Sequence, residues 1–313
     1  MKKFNHKQIL WAIGFILCFI IFGCATPDKS TRIEDRLWIE NDYKHRLEKI
    51  TVDYRIDRVL TRFGYTQVLI AGETNAKTIV LLHAMGLNLT SWTPNIEVLS
   101  EHYRIIAIDT IGDQGGSIVR RDFPETIAEY GLWLEDIIDY FGIEKVNITG
   151  CSMGGWIAHG YAINYPEKTE TLVLISPAAG IPAKTTWMGT IMRMLSTKDE
   201  KKLQKIAKEI LGSHQAQADW LEYMGKASKD TKSAKIAVPK NFSDDELKRT
   251  GGKILLLIGE NDTIYKSIDS VFKKALSVRP DIVCKIIPNA GHLGGWDNPQ
   301  FVNSQIIDFI GLE

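Results

Sequence analysis

Gly150-Cys151-Ser152-Met153-Gly154 places a serine between two glycines in the pattern Gly-x-Ser-x-Gly. The pattern alone is weak in a chain with 25 glycines, and its context gives it weight. Lys145–Thr149 reads as a strand, and Met153–Tyr165 reads as a helix ended by Tyr165-Pro166. A strand, a tight turn and a helix would force Ser152 onto an exposed bend, with glycines where side chains would collide. The bend would also set the Met153 amide at a helix N-terminus, aimed at developing negative charge.

A serine hydroxyl at neutral pH needs a neighbouring base. Of seven histidines, His6 lies in the N-terminal targeting segment, and His45, His102 and His214 fall in polar or surface-like stretches. His159 sits inside the helix after the bend, and His83 ends a strand, where it suits fixing a turn. His292, in Asn289-Ala290-Gly291-His292-Leu293, follows the last strand and suits a base that reaches Ser152. An imidazole base needs an acid to hold its tautomer. Asp262, in Gly259-Glu260-Asn261-Asp262 after a very apolar strand, is the first choice, and Glu260 is the second. Asp297 follows His292 too closely to reach its far nitrogen. The chemistry implied is nucleophilic attack on a carbonyl with general-base assistance.

Positioning these groups falls to an alternation of strands and helices. Strands are predicted at 51–56, 65–71, 78–83, 104–109, 145–149, 171–175, 253–258 and 283–287, and helices near 94–101, 124–141, 153–165, 265–278 and 299–310. Continuous apolar runs such as Thr78–Leu82 and Lys253–Ile258 fit parallel strands covered on both faces. The pattern predicts an α/β fold with an eight-stranded, mostly parallel sheet flanked by helices, its first two strands forming an antiparallel hairpin. Residues 181–250 interrupt it between the sixth and seventh strands. They hold helical patterns at Leu203, Ile206, Ile210 and Leu211 and at Trp220, Leu221 and Met224, then a capping box at Ser243–Glu246. A helical insertion here would form a cap at the carboxyl ends of the strands, where such sheets bind ligands. Its start, Trp187–Leu195, is rich in Trp and Met: ordinary helix packing, or an apolar wall for acyl or aromatic substrates.

The His-x-x-Gly turn at His83–Gly86, the Gly-x-Ser-x-Gly bend, the Gly-Glu-x-Asp segment and the late Gly-His occur in that order, and from about 51 to 310 the chain resembles the capped α/β-hydrolases. The resemblance implies a Ser152–His292–Asp262 triad and an oxyanion hole formed by the amides of Met153 and Met85. Two departures stand out. Ala84 occupies a position where relatives usually carry glycine, and alanine would be strained there if φ were positive. The loop Asp109–Ser117 is longer than the Asp-x-x-Gly-x-Gly-x-Ser of relatives; it would border the pocket without being catalytic. The expected activity is hydrolysis of a small, apolar carboxylic ester. Carbon–carbon bond hydrolysis, proline iminopeptidase activity and a non-turnover receptor retaining the triad stay open.

At the N-terminus, Lys2, Lys3 and Lys7 precede an unbroken apolar run, Ile9–Phe22, whose fourteen residues fit a signal-peptide core. The run is short of the ~20 residues of a spanning helix. Ile21-Phe22-Gly23-Cys24 resembles a lipoprotein cleavage site, which implies lipidation of Cys24 and a protein held on the outer face of the cytoplasmic membrane. An uncleaved apolar anchor is the alternative. Cleavage would remove three lysines and no acid, turning a balanced chain into one of net charge −3. The expected organisation is a signal peptide at 1–23, a tether and surface helix at 24–50, hydrolase core at 51–180 and 251–313, and the cap at 181–250. The surface helix is read from Ile33, Leu37, Leu47 and Ile50.

Composition narrows the alternatives. With 44% hydrophobic and 24% charged residues the chain is an ordinary globular one. Thirty-eight cations against 38 anions leave no excess for binding nucleic acid. Four cysteines are too few for a disulfide scaffold; Cys151 and Cys284 read as packing residues. No His-x-x-x-His, Cys-x-x-Cys or nucleotide-binding glycine motif is present, so no metal and no cofactor is expected.

Overall fold

A computed structural model describes residues 29–311 except 76, 121, 182–188, 190–192, 194–199, 212–216 and 228–236. The expected signal peptide, Cys24 and most of the Trp- and Met-rich stripe at 187–195 lie outside the described residues.

Nine strands form one sheet: β1 (Tyr54–Thr61), β2 (Gly64–Ala71), β3 (Thr78–Leu82), β4 (Arg104–Ile108), β5 (Ile118–Val119), β6 (Val146–Cys151), β7 (Thr169–Ile175), β8 (Lys253–Gly259) and β9 (Val283–Ile287). Their order is β1-β2-β4-β3-β6-β7-β8-β9, with β5 pairing β2. β2 pairs antiparallel with β1, β4 and β5; every pairing from β4 through β9 is parallel. The added strand is the two-residue β5, too short to leave a hydrophobic period. β1 begins three residues later than expected, because charges at Arg55, Asp57 and Arg58 mask the alternation of this edge strand.

The helices are α1 (Lys29–Leu47), α2 (Thr93–Ser100), α3 (Ile127–Tyr140), α4 (Met153–Asn164), α5 (Glu200–Leu211), α6 (Gln217–Ala227), α7 (Asp244–Arg249), α8 (Ile268–Val278), α9 (Gly294–Asp297) and α10 (Pro299–Gly311). Strand alternation divides the core in two. Val80 and Leu82 face α3, α4 and α8, whereas Ile79 and Leu81 face α1, α2, α6 and α10. Each strand therefore buries both faces, as its apolar run requires. Capping boxes start α3 (Thr126 with Glu129) and α7 (Ser243 with Glu246); such caps contribute about 1 kcal/mol each.

α1 differs from the sequence reading. Leu37 faces solvent, while Asp35, Ile39 and Arg46 are buried. The inward charges are satisfied by the insertion: Lys226 lies 3.9 Å from Asp35, and Arg46 stacks over Trp220 of α6. Between β7 and β8, the described residues of 181–250 are helical or irregular. Phe242 N donates to Gly180 O at 2.8 Å, so this excursion returns beside the point where it left.

Candidate active site

The bend at Ser152 is held from four directions. Its N–H donates to Ile175 O (2.9 Å), and its carbonyl accepts from Trp156 N (3.1 Å) and Ala178 N (3.0 Å). Gly154 N donates to His83 O (3.1 Å), tying the bend to the end of β3. Ser152 adopts φ 51°, ψ −113°, a conformation that costs a non-glycine residue roughly 1–3 kcal/mol and persists because these bonds over-determine it. A Cβ on Gly150 would strike the Gly154 backbone, and one on Gly154 the Leu82 backbone, so both flanking glycines are sterically required.

Ser152, His292 and Asp262 converge. His292 Nε2 lies 2.8 Å from Ser152 Oγ, and His292 Nδ1 lies 2.9 Å from Asp262 Oδ2. All three are buried. Asp262 Oδ1 also accepts from Ile264 N at 2.9 Å. Burial alone would raise the Asp262 carboxyl, but the charge and hydrogen bond of His292 and the further donors outweigh it and hold the group below its ordinary value. An ionised Asp262 selects the tautomer with hydrogen on Nδ1, which leaves Nε2 to accept the serine proton. Loop closure brings the histidine in: Asn261 N donates to Ala290 O (2.8 Å) and Glu260 N to Ile287 O (3.0 Å).

The other carboxylates weighed for the acid have different duties. Glu260 accepts from Asn289 N (2.9 Å) and Asp297 from Gly291 N (2.7 Å), so both brace the histidine loop from its backbone. Cys151 is buried and unoxidised beside the bend, and burial pushes its thiol far above the ordinary value. Cys284 is half-buried, its thiol pushed up to about 11.

Met153 opens α4, where first-turn amides have no intrahelical acceptor. Met85 lies in the turn after β3, and its N–H bonds to no described residue. His83 organises that turn. Its Nδ1 donates to Ala84 O (2.8 Å) and its Nε2 accepts from Thr110 N (3.0 Å), a neutral tautomer fixed at both ends. Burial pushes its pKa down to about 4, consistent with that neutral form. Ala84 is not strained: the positive φ of this turn falls on Gly86, at 76°.

One residue of this region escaped the sequence reading. Both carboxylate oxygens of Asp113 accept from Gly86 N, at 3.1 and 3.0 Å. The only sequence signal was an acid among the glycines of the long 109–117 loop, and its partner lies 27 residues upstream. Among the described residues no group of three or more His, Cys, Asp or Glu is placed to hold a metal ion.

Comparison with known proteins gives concordant matches. The family model described as alpha/beta hydrolase fold matches residues 77–299. An uncharacterised carboxylesterase, nap, of Bacillus subtilis is 31% identical over 276 residues, covering 82% of this chain and 86% of its own. Carboxylesterase YbfK of the same organism is 28% identical, covering 89% and 95%. The crystal structure of the B. subtilis naproxen esterase superposes with TM-score 0.79 at 28% identity, over 88% of this chain and 98% of that one.

Proposed function

This chain belongs to the α/β-hydrolase family, and we propose that it is a serine esterase that cleaves carboxylic esters through an acyl-enzyme on Ser152. The observation that carries the reading is the unbroken relay from Ser152 Oγ through the His292 ring to Asp262, at 2.8 and 2.9 Å. Its similarity to the carboxylesterases supports an ester as substrate.

In this mechanism Ser152 Oγ attacks the ester carbonyl while His292 Nε2 takes its proton, and Asp262 stabilises the imidazolium that forms. The carbonyl oxygen becomes an oxyanion held by the amides of Met85 and Met153, each worth about 2.7–4 kcal/mol of barrier. His292 returns the proton to the departing alcohol. Water then enters, gives its proton to His292, attacks the acyl carbon and releases the acid, restoring Ser152. Apolar side chains beside the histidine loop, Ala84, Leu87, Trp220, Leu293 and Trp296, line a cleft no larger than a water molecule next to Cys151. Their character favours an apolar acyl group on that side.

The test is a panel of p-nitrophenyl esters of graded acyl length, run on wild type and Ser152→Ala. The reading requires turnover by wild type and its loss in the variant; hydrolysis surviving in Ser152→Ala overturns it. Fluorophosphonate labelling of Ser152 without hydrolysis of any ester would count against the esterase reading and favour a receptor, or a hydrolase of another bond.

The sequence pattern ending at Cys24 supports a companion proposal, that the enzyme is a lipoprotein held at the membrane with its catalytic domain outside the cytoplasm. Incorporation of labelled palmitate that disappears in Cys24→Ser supports it; incorporation that persists there refutes it.

A further inference from the structure

The loop between β4 and β5 carries an acid that touches the oxyanion turn. Ala84–Leu87 is a β-turn closed by Leu87 N donating to Ala84 O at 3.2 Å. Gly86 stands at its third position with φ 76°, the type II arrangement. Types I and II differ by a flip of the central peptide, here Met85–Gly86, and glycine allows both. Something must select one.

We propose that Asp113 is a positioning residue for the oxyanion hole, selecting the orientation of the Met85–Gly86 peptide through the Gly86 N–H. This rests on the esterase reading and on the role of Met85 within it. Because a trans peptide sets its N–H and C=O in opposite directions, each bond to one fixes the other. Upstream of Met85, the Ala84 carbonyl is held by His83 Nδ1 and Leu87 N, which turns the Met85 N–H the opposite way. Downstream, the Gly86 N–H faces both oxygens of Asp113, so a flip would bring the Met85 carbonyl against a carboxylate. The Met85 N–H itself belongs to the upstream peptide; by keeping the downstream peptide from flipping, Asp113 fixes the backbone of Met85 from its other side. Asp113 is itself fixed by Gln114 N, which donates to Oδ1 at 2.8 Å.

Arg36, Lys44 and Arg58 line the same cavity as Asp113, but among the described residues none of them forms an ion pair with it. The groups that couple to it electrostatically are Asp109 of its own loop, Tyr130 of α3 and Tyr223 of α6. Burial pushes its carboxyl up to about 7, against the pull of the two amides and with Asp109 adding to the rise. Its grip on Gly86 thus strengthens as it ionises near neutral pH, since hydrogen bonds to charged acceptors are the stronger ones. Asp109 holds the next stretch in parallel, accepting from Leu89 N at 2.8 Å.

The test compares wild type, Asp113→Asn and Asp113→Ala in ester turnover and in the rate of Ser152 inactivation by a fluorophosphonate. Loss of an ordered oxyanion donor predicts a fall of about 10- to 100-fold in kcat and in inactivation rate for Asp113→Ala, with KM within about twofold. Asp113→Asn keeps an acceptor without charge and should lie between; should Asp113→Ala fail to fold, this variant carries the test. The wild-type kcat profile should contain an ionisation near pH 7 that is absent from Asp113→Asn. Inactivation and kcat within about twofold of wild type in both variants overturn the inference, as does a loss confined to KM. Wild type that neither reacts with fluorophosphonate at Ser152 nor turns over ester overturns the esterase reading, and this inference with it.

Discussion

The guanidinium of Arg46 lies 3.8 Å above the centroid of the Trp220 indole, joining an N-terminal helix outside the family-matched span to a helix of the insertion. Arg46 also holds Asp42 at 2.7 Å and is itself buried. Replacing it with methionine keeps most of the apolar stem but removes the charge shared by Asp42 and the rings of Trp220 and Tyr223. The expected cost is about 2 kcal/mol, from a desolvated cation–π contact and a partly buried carboxylate left alone. A urea midpoint measurement checks it, and α1 and α6 should be the segments whose amides exchange faster.

Acidification should expose the cost of burying His83. In the fold its pKa is about 4, against an ordinary 6.5. As pH falls through 6.5 the unfolded chain binds a proton that the folded chain refuses, so stability drops, and the loss is complete near pH 4. The difference corresponds to about 3 kcal/mol. Asp109 and Asp113, raised to about 6 and 7, act in the opposite sense by shedding the cost of their buried charge on protonation. His83→Gln isolates the imidazole: its stability should fall less than that of wild type between pH 6.5 and 4 in parallel urea titrations.

Asp262→Asn should leave the protein folded and nearly inactive. The asparagine amide favours the wrong imidazole tautomer, and a loss of about 10⁴ in kcat is the expected scale. Because the wild-type carboxyl is held below 3.8, the stability its charge contributes is present above that pH and is lost only as pH falls through the lower folded value. An activity loss above pH 4 therefore has another source. Kinetics beside circular dichroism at pH 5 and pH 8 separate these effects.

Gly154→Ala tests the bend from its backbone side. The new methyl meets the Leu82 and His83 carbonyls, which belong to the end of β3 and cannot rotate away. Destabilisation on the order of 3 kcal/mol is expected, with a parallel loss of activity, read from thermal unfolding and ester turnover.

Much of the site was legible because its parts are local. Gly150, Ser152 and Gly154 are neighbours in sequence, and Asp262 and His292 each follow a strand with an unmistakable apolar run or a polar loop at its end. Their convergence follows from the parallel order of β6, β7, β8 and β9. What was hidden depends on distant partners. Asp35 and Arg46 look like surface charges until Lys226, Trp220 and Tyr223 are brought against them. Asp113 looks like a loop residue until Gly86 is beside it, and β5 is too brief to carry any period. Leu37 misled for the converse reason: an apolar residue at helical spacing does not need to be inside.

The bond from Phe242 to Gly180 makes the insertion a loop with a closed neck. The ends of β7 and β8 are thus tied at one separation however much chain is spliced between them, so the sheet tolerates length there. What the insertion does to the core it does through side chains such as Trp220 against Trp296.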